Sequence, residues 1–326
     1  MSDEGAFIAR MRALATHPAA RGLMDDAAVL DRPAGALVLT HDMLVEGVHF
    51  LPDDPAETLA WKLCAVNMSD LAAKGATPLG VLVGYGMTED AGRDAAFASG
   101  LGTALDHFGV PLLGGDTVRM PRGAPLTLGL TAIGAAPACP PPARSGAQAG
   151  DLLFVTGTIG DAGAGLALLQ ARLDAPEDAR RALIDAYRQP MPPVALGPVI
   201  APLVSAMADV SDGLLIDADR IAQASGIAIR MELSSLPLSA ALVAARGEGV
   251  ESRIEAGTAG DDYQLLFTAP PDREAAIRAL CAEQGHRLSR IGQCETGADA
   301  GTERLTILHH GQPIRPPQRL GFEHGA

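Results

Sequence analysis

Hydrophobic and polar positions alternate along the first half of the chain between short apolar runs and longer segments of helical spacing. Ala36 to Thr40 is a short apolar run that predicts a strand ending at His41-Asp42. Pro55 to Ala73 has helical periodicity, with Leu59, Leu63, Val66 and Leu71 near one face. Leu79 to Tyr85, Val110 to Leu113 and Leu126 to Ala135 predict further strands, and Asp90 to Phe108 a helix rich in small residues. Pro137 to Gly150 breaks this rhythm with prolines and small residues, which marks a domain boundary. Beyond it, Leu152 to Thr156 reads as a strand, Gly157 to Gly165 as a glycine-rich turn and Leu166 to Leu173 as a helix. A helix opening at Asp209 to Gly213 and continuing to about Ser225 follows, then a strand over Tyr263 to Thr268 and a helix over Ala275 to Gln284. Strands and helices in alternation predict an α/β (α+β) chain of two domains, residues 1–140 and 141–326. The first is expected to be a mixed sheet with helices, the second an α/β domain.

With 326 residues, 48% hydrophobic and 20% charged, the chain can bury a core in each domain. Its net charge of -14 argues against nucleic acid and anionic membranes as partners. Met191 to Ala208 is uncharged and approaches the length of a membrane span, but Pro192, Pro193, Pro198 and Pro202 interrupt it, so a buried turn with a short helix is expected. The N-terminus has no long apolar stretch of the signal-peptide kind. Cys64, Cys139, Cys281 and Cys294 form no CxxC pair and no zinc-like spacing, which predicts reduced thiols and a cytoplasmic protein.

Candidate chemistry lies in aspartate motifs: Asp25-Asp26, Thr40-His41-Asp42, Asn67-Met68-Ser69-Asp70, Gly114-Gly115-Asp116, Asp209-Val210-Ser211-Asp212-Gly213 and Gly260-Asp261-Asp262. Most stand where an apolar run ends, which reads as loop positions at the ends of elements. Each has a structural explanation when taken singly: Asp209 and Asp212 as helix N-caps, Gly114-Gly115-Asp116 as a hairpin turn, His49 as a satisfied structural histidine. Recurrence of one chemistry at successive element ends favours a shared site. Carboxylates gathered about 4 Å apart repel by about 4 kcal/mol per pair at an effective dielectric of about 20, so divalent cations are required. Mg²⁺ favours carboxylates together with phosphate oxygens, which points to a metal–nucleotide site. The stretch Gly157-x-x-Gly160-Asp161-x-Gly163-x-Gly165 is read either as a phosphate cradle or as a tight turn, and it lacks the Lys-Ser/Thr ending of a Walker A loop.

These motifs resemble the thiamine-monophosphate kinase family, part of the aminoimidazole ribonucleotide synthetase-like superfamily. The likeness covers nearly the whole chain and is carried by Asp25-Asp26-Ala27-Ala28, Thr40 to Phe50, Val66 to Ala76, Gly114 to Thr117, Arg144-Ser145-Gly146, Thr156 to Asp161, Asp209 to Leu214 and Gly260 to Phe267. The resemblance implies ATP-dependent phosphorylation of thiamine phosphate to thiamine diphosphate, with Mg²⁺, in a homodimer. It implies metal ligands at Asp26, Thr40, His41, Asp42, Asp70, Asp116, Asp209 and Asp212. It implies ATP contacts at Gly115, Asp116, Arg144 and Ser211, and a thiamine phosphate pocket with His49, Asp261 and Phe322. Asp42, Asp116 and Asp212 are the expected catalytic carboxylates. His41 replaces a usual threonine, Asp261 a usual glutamate, and Met24 a usual glycine.

Overall fold

The computed structural model describes residues 3–25, 27–31, 35–297 and 304–323. The chain divides into two compact units, residues 1–71 with 76–136 and residues 72–75 with 137–326.

The first unit is a four-stranded mixed sheet with helices. Its strands are β1 (Leu37–Val45), β2 (Thr77–Met87), β3 (Leu112–Arg119) and β4 (Thr127–Ala135), and its helices α1 (Asp3–Leu14), α2 (Ala56–Ala73) and α3 (Ala91–Phe108). The spatial order is β1-β4-β2-β3, antiparallel except for the β2–β3 pair. Helix α2 is mostly apolar and is buried on nearly every side, its polar residues Lys62, Asn67 and Ser69 included. The predicted stripe of Leu59, Leu63, Val66 and Leu71 is therefore only part of what it buries. Helix α3 approaches α2 so closely that a Cβ on Gly100 would stand 2.4 Å from the Glu57 Cα, which explains its small residues. Phe7 of α1 stacks on Tyr85 of β2 with ring centroids 4.6 Å apart, and Tyr85 meets Phe97 of α3 at 4.4 Å.

One face of this sheet is open. Strand alternation sends Val38, Thr40, Asp42 and Leu44 one way and Leu37, Leu39, His41 and Met43 the other. Leu39 is 63% exposed and Met43 50%. Val118 on β3 is also exposed.

The second unit is built on a seven-stranded sheet. In chain order its elements are β5 (Leu152–Thr156), α4 (Asp161–Leu169), α5 (Glu177–Arg188), α6 (Leu196–Ile200), β6 (Ala206–Asp209), α7 (Leu214–Ser225), β7 (Ala228–Glu232), α8 (Ala240–Arg246), α9 (Val250–Thr258), β8 (Leu265–Ala269), α10 (Glu274–Glu283), β9 (Leu288–Glu295), β10 (Leu305–His309) and β11 (Gln312–Pro313). The order is β11-β10-β7-β9-β5-β8-β6, with β10 and β7 parallel. Alternate residues of the central strands enter two separate cores. Leu153, Val155 and Leu266 join the one with Leu214, Leu215 and Ile221. Phe154, Leu265 and Phe267 join the one with Leu196, Ile200 and Ile277. With both faces covered, the strands read as unbroken apolar runs. No helix among the described residues is long and apolar enough to cross a membrane; Met191 to Ala208 is the turn containing α6 that leads into β6.

Candidate active site

Several motifs expected at loops lie inside regular elements. Thr40, His41 and Asp42 are central in β1 and Gly114 to Asp116 run through the middle of β3, while Asp70 lies in α2, inside the helix expected over Pro55 to Ala73. Asp209 closes β6 as expected, with Ser211 and Asp212 in the loop before α7, and Gly260 to Asp262 lie in the loop before β8. Asp26 falls outside the described residues.

In the first unit, β1 meets α2 through polar groups. The Thr40 hydroxyl donates to Asp70 Oδ2. The Asp42 N–H donates to Asn67 Oδ1 at 3.1 Å, and Asn67 Nδ2 donates to the Leu63 carbonyl at 2.9 Å. These bonds gather Thr40, Asp42 and Asp70 on the α2 side. Alternation takes His41 to the open face, where its Nδ1 lies 2.9 Å from Thr131 Oγ1. His49 follows β1, its Nδ1 accepting the Val45 N–H at 3.0 Å, while buried Lys62 donates to its carbonyl at 3.4 Å.

Asp116 stands elsewhere in the same sheet. Asp42 pairs with Leu130, Leu130 with Val83, and Val83 with Gly115. Asp42 and Asp116 therefore flank a row that crosses three strand spacings, about 14 Å in all, and within this unit one ion cannot bind both. A register shift opposite Leu113 sets up Gly115, whose φ is 156° and whose Cβ would lie 1.9 Å from the Val83 carbonyl oxygen. Gly115 is thus a requirement of the β2–β3 join, and Asp116 is exposed just beyond it. Its Oδ1 accepts the Thr117 N–H at 2.9 Å.

In the second unit the predicted residues meet. The Asp261 N–H donates to the Ser211 carbonyl, the Tyr263 N–H to the Val210 carbonyl and the Phe322 N–H to the Asp212 carbonyl, each at 2.8 Å. Tyr263 Oη donates to Asp261 Oδ1 at 2.8 Å. Gly260 permits this approach, since a Cβ there would lie 2.5 Å from the Ser211 oxygen. Asp209 is buried, Asp212 half-buried, and the Phe322 ring 46% exposed. Arg144 is exposed, on a segment whose Ala143 carbonyl accepts the Met207 N–H at 2.8 Å.

Three supporting residues were not expected at the site: Asp217 and Arg220 carry no signal of their own in the sequence, and Asp262 stood only as the last member of the Gly260-Asp261-Asp262 motif. Asp217 Oδ2 accepts the N–H groups of Ser211 at 3.1 Å and Asp212 at 3.2 Å. Arg220 bridges Asp217 and Asp212. Asp262 accepts the Gly160 N–H on both oxygens, at 3.0 and 2.9 Å, and burial with the neighbouring charges of Asp161 and Asp261 pushes its carboxyl well above the usual range. In the glycine-rich stretch the Gly157 and Ile159 amides go to the Arg287 and Pro237 carbonyls and the Gly160 amide to Asp262, so these three are engaged within the chain, as a tight turn requires. Gly160 has φ 90°, and a Cβ there would lie 2.4 Å from that of Ala256.

Among the described residues no three His, Cys, Asp or Glu side chains gather as a metal cage. The donors that do occur are oxygen atoms: Asp70 bonded to Thr40, with Asp42 two residues along on the same face of β1, and, three residues apart at the end of β6 and in the loop after it, Asp209 and Asp212. Such donors fit Mg²⁺, which keeps several waters and takes one or two carboxylates plus substrate phosphates. A cavity of about 140 Å³ lined by Glu46, Met87, Arg93, Met120 and Leu126 contains none of the expected site residues.

The two sheets, in this order along the chain, define the architecture of the AIR synthase related proteins: their N-terminal domain matches residues 24–136 and their C-terminal domain residues 148–302. A thiamine-monophosphate kinase of Caulobacter vibrioides is 41% identical, with 94% of this chain and 86% of that protein covered. The crystal structure of thiamine-monophosphate kinase from Stenotrophomonas maltophilia K279a superposes with a TM-score of 0.82 at 35% identity, covering 95% of this chain and 97% of the other. A structure described as AaThiL complexed with AMPPCP and TMP gives a TM-score of 0.74 at 30% identity, covering 91% and 90%. The chain belongs to the thiamine-monophosphate kinase family.

Proposed function

We propose that this chain transfers the γ-phosphoryl group of ATP to thiamine phosphate, giving thiamine diphosphate by direct in-line displacement. One observation carries this reading: a 30%-identical relative matching over 91% of the chain is described as a complex with AMPPCP, an ATP analogue, and TMP. The acceptor is a phosphate monoester with a second pKa near 6, mostly dianionic at neutral pH. It needs no strong general base, and the obstacle is repulsion between two phosphates.

Mg²⁺ supplies the neutralising charge when bound. Asp42 with Asp70 and Thr40, and Asp209 with Asp212, are its carboxylate and hydroxyl donors, with Asp26 as a further ligand. Asp116, about three strand spacings from Asp42, serves a different ion or a different phosphate. His41 faces the open side of β1 and is left out of this set. Gly115, Arg144 and Ser211 contact the nucleotide. In the second unit Asp261 and Phe322 contact thiamine phosphate, Phe322 with its aromatic face, and in the first unit His49 is a further residue for that substrate. The first domain thereby binds metal, nucleotide and a second subunit, and the second domain binds metal, nucleotide and substrate through residues of its own.

The reading includes a homodimer. Its support is the uncovered sheet face bearing Leu37, Leu39 and Met43, apolar surface that a second copy would bury. Unpaired cysteines fit a cytoplasmic enzyme. The test is a ³¹P NMR assay with ATP and thiamine phosphate. Appearance of ADP and thiamine diphosphate together supports the kinase, and nucleotide binding without product refutes it.

A further inference from the structure

Asp217 and Arg220 have no part in the mechanism above, yet they enclose Asp212. The Asp217 side chain is wholly buried and is fixed by the two backbone amides of Ser211 and Asp212. Its Oδ1 accepts a hydrogen bond from Arg220 Nη1 at 2.8 Å. The same Nη1 donates to Asp212 Oδ2 at 2.5 Å. The two carboxylates are not equivalent. Asp217 cannot leave without breaking the loop, whereas Asp212 is one-third exposed and faces solvent. Burial pushes the Asp217 carboxyl up, and the guanidinium opposes that shift. A carboxylate oxygen engaged by a guanidinium N–H cannot give the same lone pair to a metal ion. A cation that takes Asp212 through that lone pair displaces Arg220, and one that takes another lone pair still meets the guanidinium's positive charge at close range.

We propose that Arg220 is an internal counter-ion that occupies Asp212 until a divalent cation displaces it, with Asp217 retaining the displaced guanidinium beside the site. The inference rests on reading Asp212 as a metal ligand. Arg220 is a positioning residue whose effect is to weaken metal binding in the absence of nucleotide. Free cation must compete with a tethered positive charge. Cation delivered on a polyphosphate brings additional ligands and wins that competition, so the site favours the metal–nucleotide complex over the bare ion.

The test is Mn²⁺ binding to the nucleotide-free protein, followed by the electron paramagnetic resonance signal of free Mn²⁺, in wild type, Arg220→Gln and Asp212→Asn. Arg220→Gln is expected to bind Mn²⁺ about tenfold more tightly, the scale of removing one partly screened charge from beside the ligand. Asp212→Asn is expected to lose that ion. If Asp212→Asn loses the ion but Arg220→Gln binds it no more tightly than wild type, the counter-ion proposal is overturned and the metal reading stands. If Asp212→Asn binds Mn²⁺ as wild type does, the metal reading of Asp212 fails, and the proposal with it. A purely structural Arg220 would lower thermal stability without tightening Mn²⁺. A second measurement needs no variant: a crystal structure of the wild-type protein with Mn²⁺ should show Arg220 on Asp217 and released from Asp212. Mn²⁺ on Asp212 with Arg220 still in place would overturn the proposal.

Discussion

The Phe322 N–H donates to the Asp212 carbonyl oxygen at 2.8 Å, fastening the end of the described chain to the loop that carries the second unit's carboxylates. Gly321 lies against the same oxygen, where a Cβ would come within 2.5 Å. The bond uses backbone atoms only, and the Phe322 residue is 46% exposed, which leaves aromatic surface for a substrate to meet. Phe322→Ala should leave the fold and the KM for ATP near wild type and raise the KM for thiamine phosphate roughly 10- to 100-fold, the scale of one aromatic stacking contact of about 1–3 kcal/mol. Steady-state kinetics with each substrate varied in turn checks this, and an unchanged KM for thiamine phosphate removes Phe322 from the pocket.

Gly115 is constrained more tightly than its neighbours. Its backbone φ of 156° and the 1.9 Å approach of a notional Cβ to the Val83 carbonyl leave no space for a side chain. Gly115→Ala should destabilise the first unit by roughly 2–4 kcal/mol by parting β2 from β3. Urea unfolding measures the loss. A midpoint equal to wild type would contradict the register described for that strand pair.

The open face of the first sheet predicts self-association. Leu39 is the most exposed apolar residue of β1. Leu39→Glu would place two charges in the proposed interface, one from each copy, and should convert a dimer into a monomer. Light scattering coupled to size-exclusion chromatography reads the mass directly. A wild-type monomer, or a variant that stays dimeric, would refute this surface as the interface.

Glu232 supplies a pH-dependent term remote from the chemistry. Burial alone would raise its carboxyl. Four hydrogen bonds, from the Ser234 hydroxyl and from the amides of Gly311, Ser234 and His310, outweigh that and bring it down from 4.5 to about 2. A depressed folded pKa stabilises above the unfolded value and is lost as pH falls through the folded one. Glu232→Gln should therefore be less stable than wild type near neutrality, and the gap should close between pH 4.5 and about 2. A gap that stays constant across that window would show that charge is not what those bonds recognise.

Much of the fold is visible in the residue pattern, for reasons that also explain the omissions. Leu152 to Thr156 reads as a strand because both of its faces are buried and every residue is apolar or shielded. Strands β7 and β9 carry polar residues such as Arg230, Ser289, Arg290 and Gln293 among their apolar ones, and no run announces them. The interior of β1 presents Thr-His-Asp because one side faces polar groups of α2 and the other is open, so a polar triplet looked like a strand end. Hydrogen bonds between distant segments are invisible in any local pattern. The Asp262 bond to the Gly160 amide spans 102 residues, and only the structure shows that it closes the glycine-rich turn. The motifs themselves were legible as recurring chemistry. Their grouping was not: β1 pairs with β4 and β4 with β2, which sets Asp42 and Asp116 at opposite edges of one sheet.

The central claim is that carboxylate-held Mg²⁺ lets one phosphate attack another. It is tested most directly by following thiamine diphosphate formation after exhaustive EDTA treatment and again after Mg²⁺ is restored. The account predicts that product formation stops on chelation and returns with Mg²⁺ while the protein stays folded throughout. Undiminished turnover in the metal-stripped enzyme would contradict it.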